Sequence, residues 1–144
     1  MEHQGLHGYY FEELAIGQQA TVSRTITETD LRNFSGVSGD TNPMHLSEEF
    51  ARSTPFGGTI VHGMLTASLI SAVIGTKLPG PGCIYMSQTL KFLAPVRVGD
   101  TVYATAIVKQ LMPEKKRVLL ETKCFVGDTV VIEGEALIKV PSKK

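Results

Sequence analysis

Over residues 20–26 the chain alternates Thr21, Ser23 and Thr25 with Val22, Arg24 and Ile26, and this period of two predicts a short strand. Thr27 then stands where a helix N-cap would, and Leu31, Phe34 and Val37 recur at i, i+3 and i+6, which predicts a helix over residues 28–37 fraying at Gly36 and Gly39. A second, short helix is expected just after Ser47, whose hydroxyl precedes Glu48 and Glu49 in a first turn. Residues 62–76 differ from both: Met64, Leu65, Ala67, Leu69, Ile70, Ala72, Val73 and Ile74 occupy every face, so this helix should be central and surrounded.

The breaker Leu78-Pro79-Gly80-Pro81-Gly82 ends the helical half. Beyond it, strands are expected at residues 83–93, 101–111, 117–126 and 129–140, with turns at 95–100 and 112–116 and a tight turn at Gly127-Asp128. One early strand, helices and then a four-stranded antiparallel meander is an α+β layout in which a curved sheet wraps one buried helix. Residues 1–16, with His3, His7 and the aromatic run Tyr9-Tyr10-Phe11, keep no period and read as an N-terminal arm lying on a single domain over 17–144.

Composition changes this picture little. At 144 residues the chain suits one domain with a real core. Fourteen basic and fourteen acidic side chains cancel, which argues against a nucleic-acid or membrane-surface partner. Cys83 and Cys124 lack CxxC spacing, and the chain opens without a basic-then-apolar leader, so reduced thiols in the cytoplasm are expected. The apolar window at 64–74 is interrupted by Thr66, Ser68 and Ser71 and is shorter than the ~20 residues of a membrane span.

Candidate chemistry gathers in Asp40-Thr41-Asn42-Pro43-Met44-His45. Asp and Asn favour turns through their own backbone bonds, so these residues alone are compatible with a plain loop. They equally form an acid–base set: a carboxylate and an imidazole holding one water between them can deprotonate it and deliver a proton elsewhere, with Asn42 orienting the pair. Gly63, at the predicted start of the central helix, offers backbone N–H groups without intrahelical partners, suited to a developing oxyanion on a polarised carbonyl. His62 reads as a packed or capping residue. The absence of HxH, HExxH or Cys/His spacing argues against a metal, and Ser68 and Ser71 lack the GxSxG context of a hydrolase nucleophile.

At these residues the chain resembles the MaoC-like, R-specific enoyl-CoA hydratases of the hot-dog fold. The resemblance rests on D-x-N-P-x-H at residues 40–45, on Gly58-Thr59-Ile60-Val61-His62-Gly63-Met64, and on the later segment from Phe92 to Asp100. It covers residues 17–140 and implies several things. Asp40 and His45 would activate water for syn addition to a trans-2-enoyl-CoA, giving an R-3-hydroxyacyl-CoA. Asn42 would support their geometry, and the Gly63 N–H would bind the thioester oxygen. Ser71, Met64 and Ile74 would line the substrate pocket. No cofactor is implied beyond the coenzyme A carried by the substrate, and two chains would join their sheets edge to edge as a homodimer. Competing readings keep part of this site: a 3-hydroxyacyl-[acyl carrier protein] dehydratase, a non-catalytic acyl-thioester binding domain, and a thioesterase.

Overall fold

The computed structural model describes residues 7–144. Strand β1 (Gln19–Thr25) is followed by helices α1 (Glu28–Ser38), α2 (Pro43–Leu46), α3 (Glu48–Arg52) and α4 (Gly63–Thr76). Strands β2 (Ile84–Gln88), β3 (Lys91–Phe92), β4 (Thr101–Met112), β5 (Arg117–Val126) and β6 (Thr129–Lys139) complete the chain. They form one antiparallel sheet in the order β1-β4-β5-β6-β2, with β3 also on β6. The α+β class and the sheet packed on one long helix are as the resemblance implies.

Two expectations about the strands need correction. Residues 83–93 do not make one strand, because the chain bends between β2 and β3 over Gly134 of β6. A Cβ at Gly134 would lie 1.8 Å from the Thr89 carbonyl oxygen, so only glycine admits this crossing. Thr89 is held there by its N–H to the Glu135 carbonyl and by its hydroxyl, which accepts from the Glu135 N–H, both at 2.9 Å. Nor is the sheet a sequential four-stranded meander. Only β4, β5 and β6 follow one another, whereas β2 adds to the outer side of β6 and β1 to the outer side of β4. Strand order depends on where residues 93–100 carry the chain, which a local period does not encode.

The core lies between sheet and helix. On β4, Val102, Ala104, Ala106 and Val108 are buried at period two, and on β5, Val118, Leu120, Thr122 and Cys124 continue the layer. Ile70, Val73 and Ile74 of α4 are fully buried, and α4 packs on β1, β4 and β5. Alanines at the middle of β4 leave room for these branched side chains. The helix is nevertheless not surrounded. Met64, Ser68, Ser71 and Gly75, at i, i+4, i+7 and i+11, form an exposed stripe along one side.

The arm is tied down from residue 8 onward, with Gly8 and Tyr9 donating to Pro81 and Pro79 carbonyls and Phe11 to that of Pro141. Phe11 and Leu14 are buried. The remainder of the expected arm, residues 1–6 with His3, lies outside the described residues.

Candidate active site

Local hydrogen bonds shape the segment that carries the chemistry. Helix α1 starts on a capping box, Thr27 with Asp30, and ends on Gly39 in the left-handed conformation (φ 79°). Asp40 follows directly, its N–H bonded to Ser38 Oγ at 3.0 Å. Asn42 then caps α2, an element missing from the sequence reading: its Oδ1 accepts from the Met44 N–H at 3.1 Å, and Pro43 takes the first helical position. The Asn42 N–H also donates to Asp40 Oδ1 at 3.3 Å. Asn42 thus joins the Asp40 and His45 positions through a helix cap and its backbone N–H.

His45 is carried on α2 and half-buried. Its Nδ1 lies 2.8 Å from the Ile60 carbonyl oxygen. A carbonyl only accepts, so the proton sits on Nδ1 and leaves the Nε2 lone pair free to act as a base. Met44 also accepts from the Ile60 N–H, which ties α2 to the entry to α4, and the Val61 N–H donates to the Val96 carbonyl at 2.7 Å, which ties that entry to the segment before β4. The loop before α4 is anchored by Arg97, whose guanidinium donates to the Phe56 and Thr59 carbonyls.

One ligand-type atom each of Asp40, His45 and His62 lies within 4.8 Å of the others. A water making two bonds of about 2.8 Å spans such a gap. Separations within that limit let one water bridge the carboxylate and an imidazole.

The structure brings Asp40 and Gly63 to one cavity of about 480 Å³, whose other walls include Phe56, Met64, Thr66 and Phe92. His45 faces a second cavity of about 400 Å³, with Glu28, Arg32, Glu48 and Thr59 in its wall. Asp40 and His45 thus stand at the partition between a mainly apolar space and a polar one. At Gly63 the helix opens without a side-chain cap, so the first-turn N–H groups stay available at the larger cavity. A Cβ on Gly63 would lie 2.7 Å from the Phe92 ring, so the absent side chain makes room for that aromatic wall.

Of the other expected pocket residues, Met64 lines the large cavity. Ile74 does not: it is 0% exposed and belongs to the core, because about 100° of turn per residue carries it from the Met64 side toward the sheet. Ser71 shares Met64's face, two helical turns further on, but is exposed there and does not line the large cavity.

Sequence reasoning missed Ser35 and Thr66. Thr66 is 1% exposed at the wall of the large cavity, and its Oγ1 has no hydrogen-bond partner among the described residues. Ser35 is buried on α1 with its Oγ 3.0 Å from His62 Nε2. His62, expected to be a packed residue, is 2% exposed, and burial pushes its pKa below the usual histidine range. Its ring stacks on His45 with centroids 4.0 Å apart.

Residues 13–135 match the family model described as MaoC like domain. The chain belongs to the MaoC-like family. It is 55% identical over 135 residues to a protein of Rhodospirillum rubrum named (R)-specific enoyl-CoA hydratase, covering 94% of each chain. Identity is 53% to a 3-hydroxybutyryl-CoA dehydratase of Methylorubrum extorquens, over 94% of this chain and 86% of that protein. Among solved structures, an unliganded R-hydratase of Pseudomonas aeruginosa superposes with a TM-score of 0.88 at 43% identity, covering 94% of this chain and 88% of that one. The sheet-around-helix architecture is thus the hot-dog fold of the MaoC-like R-hydratases.

Proposed function

We propose that this protein is an R-specific enoyl-CoA hydratase, catalysing the reversible syn addition of water to trans-2-enoyl-CoA to give R-3-hydroxyacyl-CoA. The observation that carries the proposal is the Asp40–His45 pair, spaced for one water beside an apolar cavity that also exposes an uncapped helix start. Asp40 and His45 take a proton from the water as its oxygen bonds to C3. Electron density moves onto the thioester oxygen, where the Gly63 N–H stabilises it, an effect typically of about 10²–10³ in rate. The pair then returns the proton to C2 on the same face, so all atoms of the water enter the product. No cofactor enters beyond the substrate's own coenzyme A.

Two further assignments accompany this reading. Strand β2 is a sheet edge carrying the exposed Ile84, Tyr85 and Met86, and the bare α4 stripe of Met64, Ser68, Ser71 and Gly75 is likewise uncovered. An unpaired apolar edge favours pairing with another strand, and we assign it to a homodimer in which Ser71 faces the partner chain. Met86→Lys is expected to halve the mass seen in light scattering. Among the described residues no helix is long and apolar enough to cross a membrane. The free thiols Cys83 and Cys124 fit a cytoplasmic setting.

The function is tested by following loss of the conjugated enoyl absorbance of a trans-2-enoyl-CoA chain-length series, with chiral analysis of the product. R-3-hydroxyacyl-CoA is expected. Strong preference for the same acyl group on acyl carrier protein would make the protein a dehydratase of that carrier, and release of free coenzyme A from saturated acyl-CoA would make it a thioesterase.

A further inference from the structure

We infer that His62 is a positioning residue, a neutral imidazole locked by Ser35 that holds the Asp40 main chain and the His45 ring in register. The inference rests on the hydratase reading above and goes beyond it, since His62 itself has no step in the water addition.

Two groups meet His62 Nε2: Ser35 Oγ at 3.0 Å and the Asp40 carbonyl oxygen at 3.2 Å. The carbonyl only accepts, so the bond to it requires a proton on Nε2, and Ser35 Oγ then shares that same proton as a second acceptor. The opposite tautomer would set a nitrogen lone pair against the carbonyl oxygen and bury an N–H at Nδ1, which has no partner among the described residues. The doubly protonated ring would bury that same N–H together with a positive charge stacked on His45. The neutral Nε2–H form is therefore the one that this surrounding admits.

Consequences follow for both members of the acid–base pair. The Nε2–H···O bond fixes the carbonyl of Asp40, and with it the origin of the carboxylate, at a point where the chain has just left the αL turn at Gly39. The face of the same ring sets the plane of His45, whose edge is already fixed by the Ile60 carbonyl. Phe34 packs on His62 at 4.8 Å between ring centroids, so α1 supplies both a hydroxyl and an aromatic wall to hold it. His62 also ends the segment that leads into Gly63, so one side chain links the acid, the base and the oxyanion donor. A water-adding site depends on this register, since a misplacement of about 1 Å can cost roughly 10²-fold.

Four variants and one spectrum test this. His62→Phe keeps the ring stack but loses the donor, and should lower kcat by about 10²-fold with KM for enoyl-CoA within about twofold. His62→Gln can offer an amide N–H near the Nε2 position and should recover roughly tenfold of that loss. Ser35→Ala leaves His62 in place and should cost roughly tenfold in kcat. In ¹⁵N-edited spectra of the folded wild-type protein, His62 should show a single ring proton, on Nε2, across the active pH range. Wild-type kcat in both His62→Phe and Ser35→Ala, or a His62 signal from an Nδ1–H or doubly protonated ring, overturns the inference. Asp40→Asn separates the two failures. If it abolishes hydration while the His62 and Ser35 variants do not, the positioning role falls and the hydratase reading stands; if it too is fully active, the hydratase reading itself falls.

Discussion

The Asp40–Leu46 segment and helix α4 meet at one site but are held by opposite means. Asp40, Thr41 and Asn42 are exposed, and what shapes them is a chain of short-range hydrogen bonds: Ser38 to Asp40, Asn42 to Asp40, Asn42 to Met44, and His45 to Ile60. Helix α4 makes almost no side-chain polar contacts with the rest of the fold and is held by Ile70, Val73 and Ile74 against the β4 and β5 layer. The proposed chemistry therefore sits on an exposed segment held by local bonds, and the packing of α4 rests on few reactive groups. Substitutions in the two regions should separate activity from folding.

The largest separation is expected at His45. His45→Gln should lower the turnover of enoyl-CoA by about 10²–10⁴ while leaving the melting temperature near that of the wild type, because loss of an acid–base group removes transition-state stabilisation and little packing. A parallel fall in melting temperature would show that the segment is structural. At the other pole, Ile70→Ala opens a cavity at a fully buried position and should cost about 2–5 kcal/mol in denaturant unfolding. Activity per folded molecule should then change far less than in His45→Gln. Asn42→Ala lies between these, because it removes the α2 cap, worth about 1 kcal/mol locally, and lets His45 drift. A kcat loss of roughly tenfold with almost unchanged KM is expected from steady-state kinetics.

The smallest effect concerns acid. Asp30 closes the α1 capping box and pairs with Arg24, and the Arg24 bond foremost pulls its pKa from 3.8 to about 2. A carboxyl lowered in the folded state stabilises the fold above its unfolded value and loses that contribution as pH falls through its folded one. Thermal melts should therefore show a loss of stability between pH 3.8 and about 2 that Asp30→Asn lacks.

The same contrast explains what could be read from the chain. Strand β1, the helices after Thr27 and Ser47, α4 and the three long strands all follow from periods and caps that are local. The bend between β2 and β3 did not, because its cause is Gly134, some forty residues downstream in β6. Helix α2 escaped notice because a four-residue turn has no period, although its Asn-Pro start is a capping signal. At the site, Asp40, Asn42, His45 and Gly63 were legible as residue types close in sequence. Ser35 and His62, twenty-seven positions apart, meet only because α1 and the entry to α4 pack together. Ser71 and Ile74 were assigned to the pocket on the resemblance, and a single chain places one on its outer surface and the other in its core.

The central claim is that a water held between Asp40 and His45 is added to an enoyl thioester. Its most direct measurement is crotonyl-CoA hydration by the wild type and by Asp40→Asn, with product chirality and melting temperature taken on the same samples. The expected result is R-3-hydroxybutyryl-CoA from the wild type and a loss of about 10²–10⁴ in Asp40→Asn at an unchanged melting temperature. Hydration at the wild-type rate by Asp40→Asn, or an S product from the wild type, would contradict it.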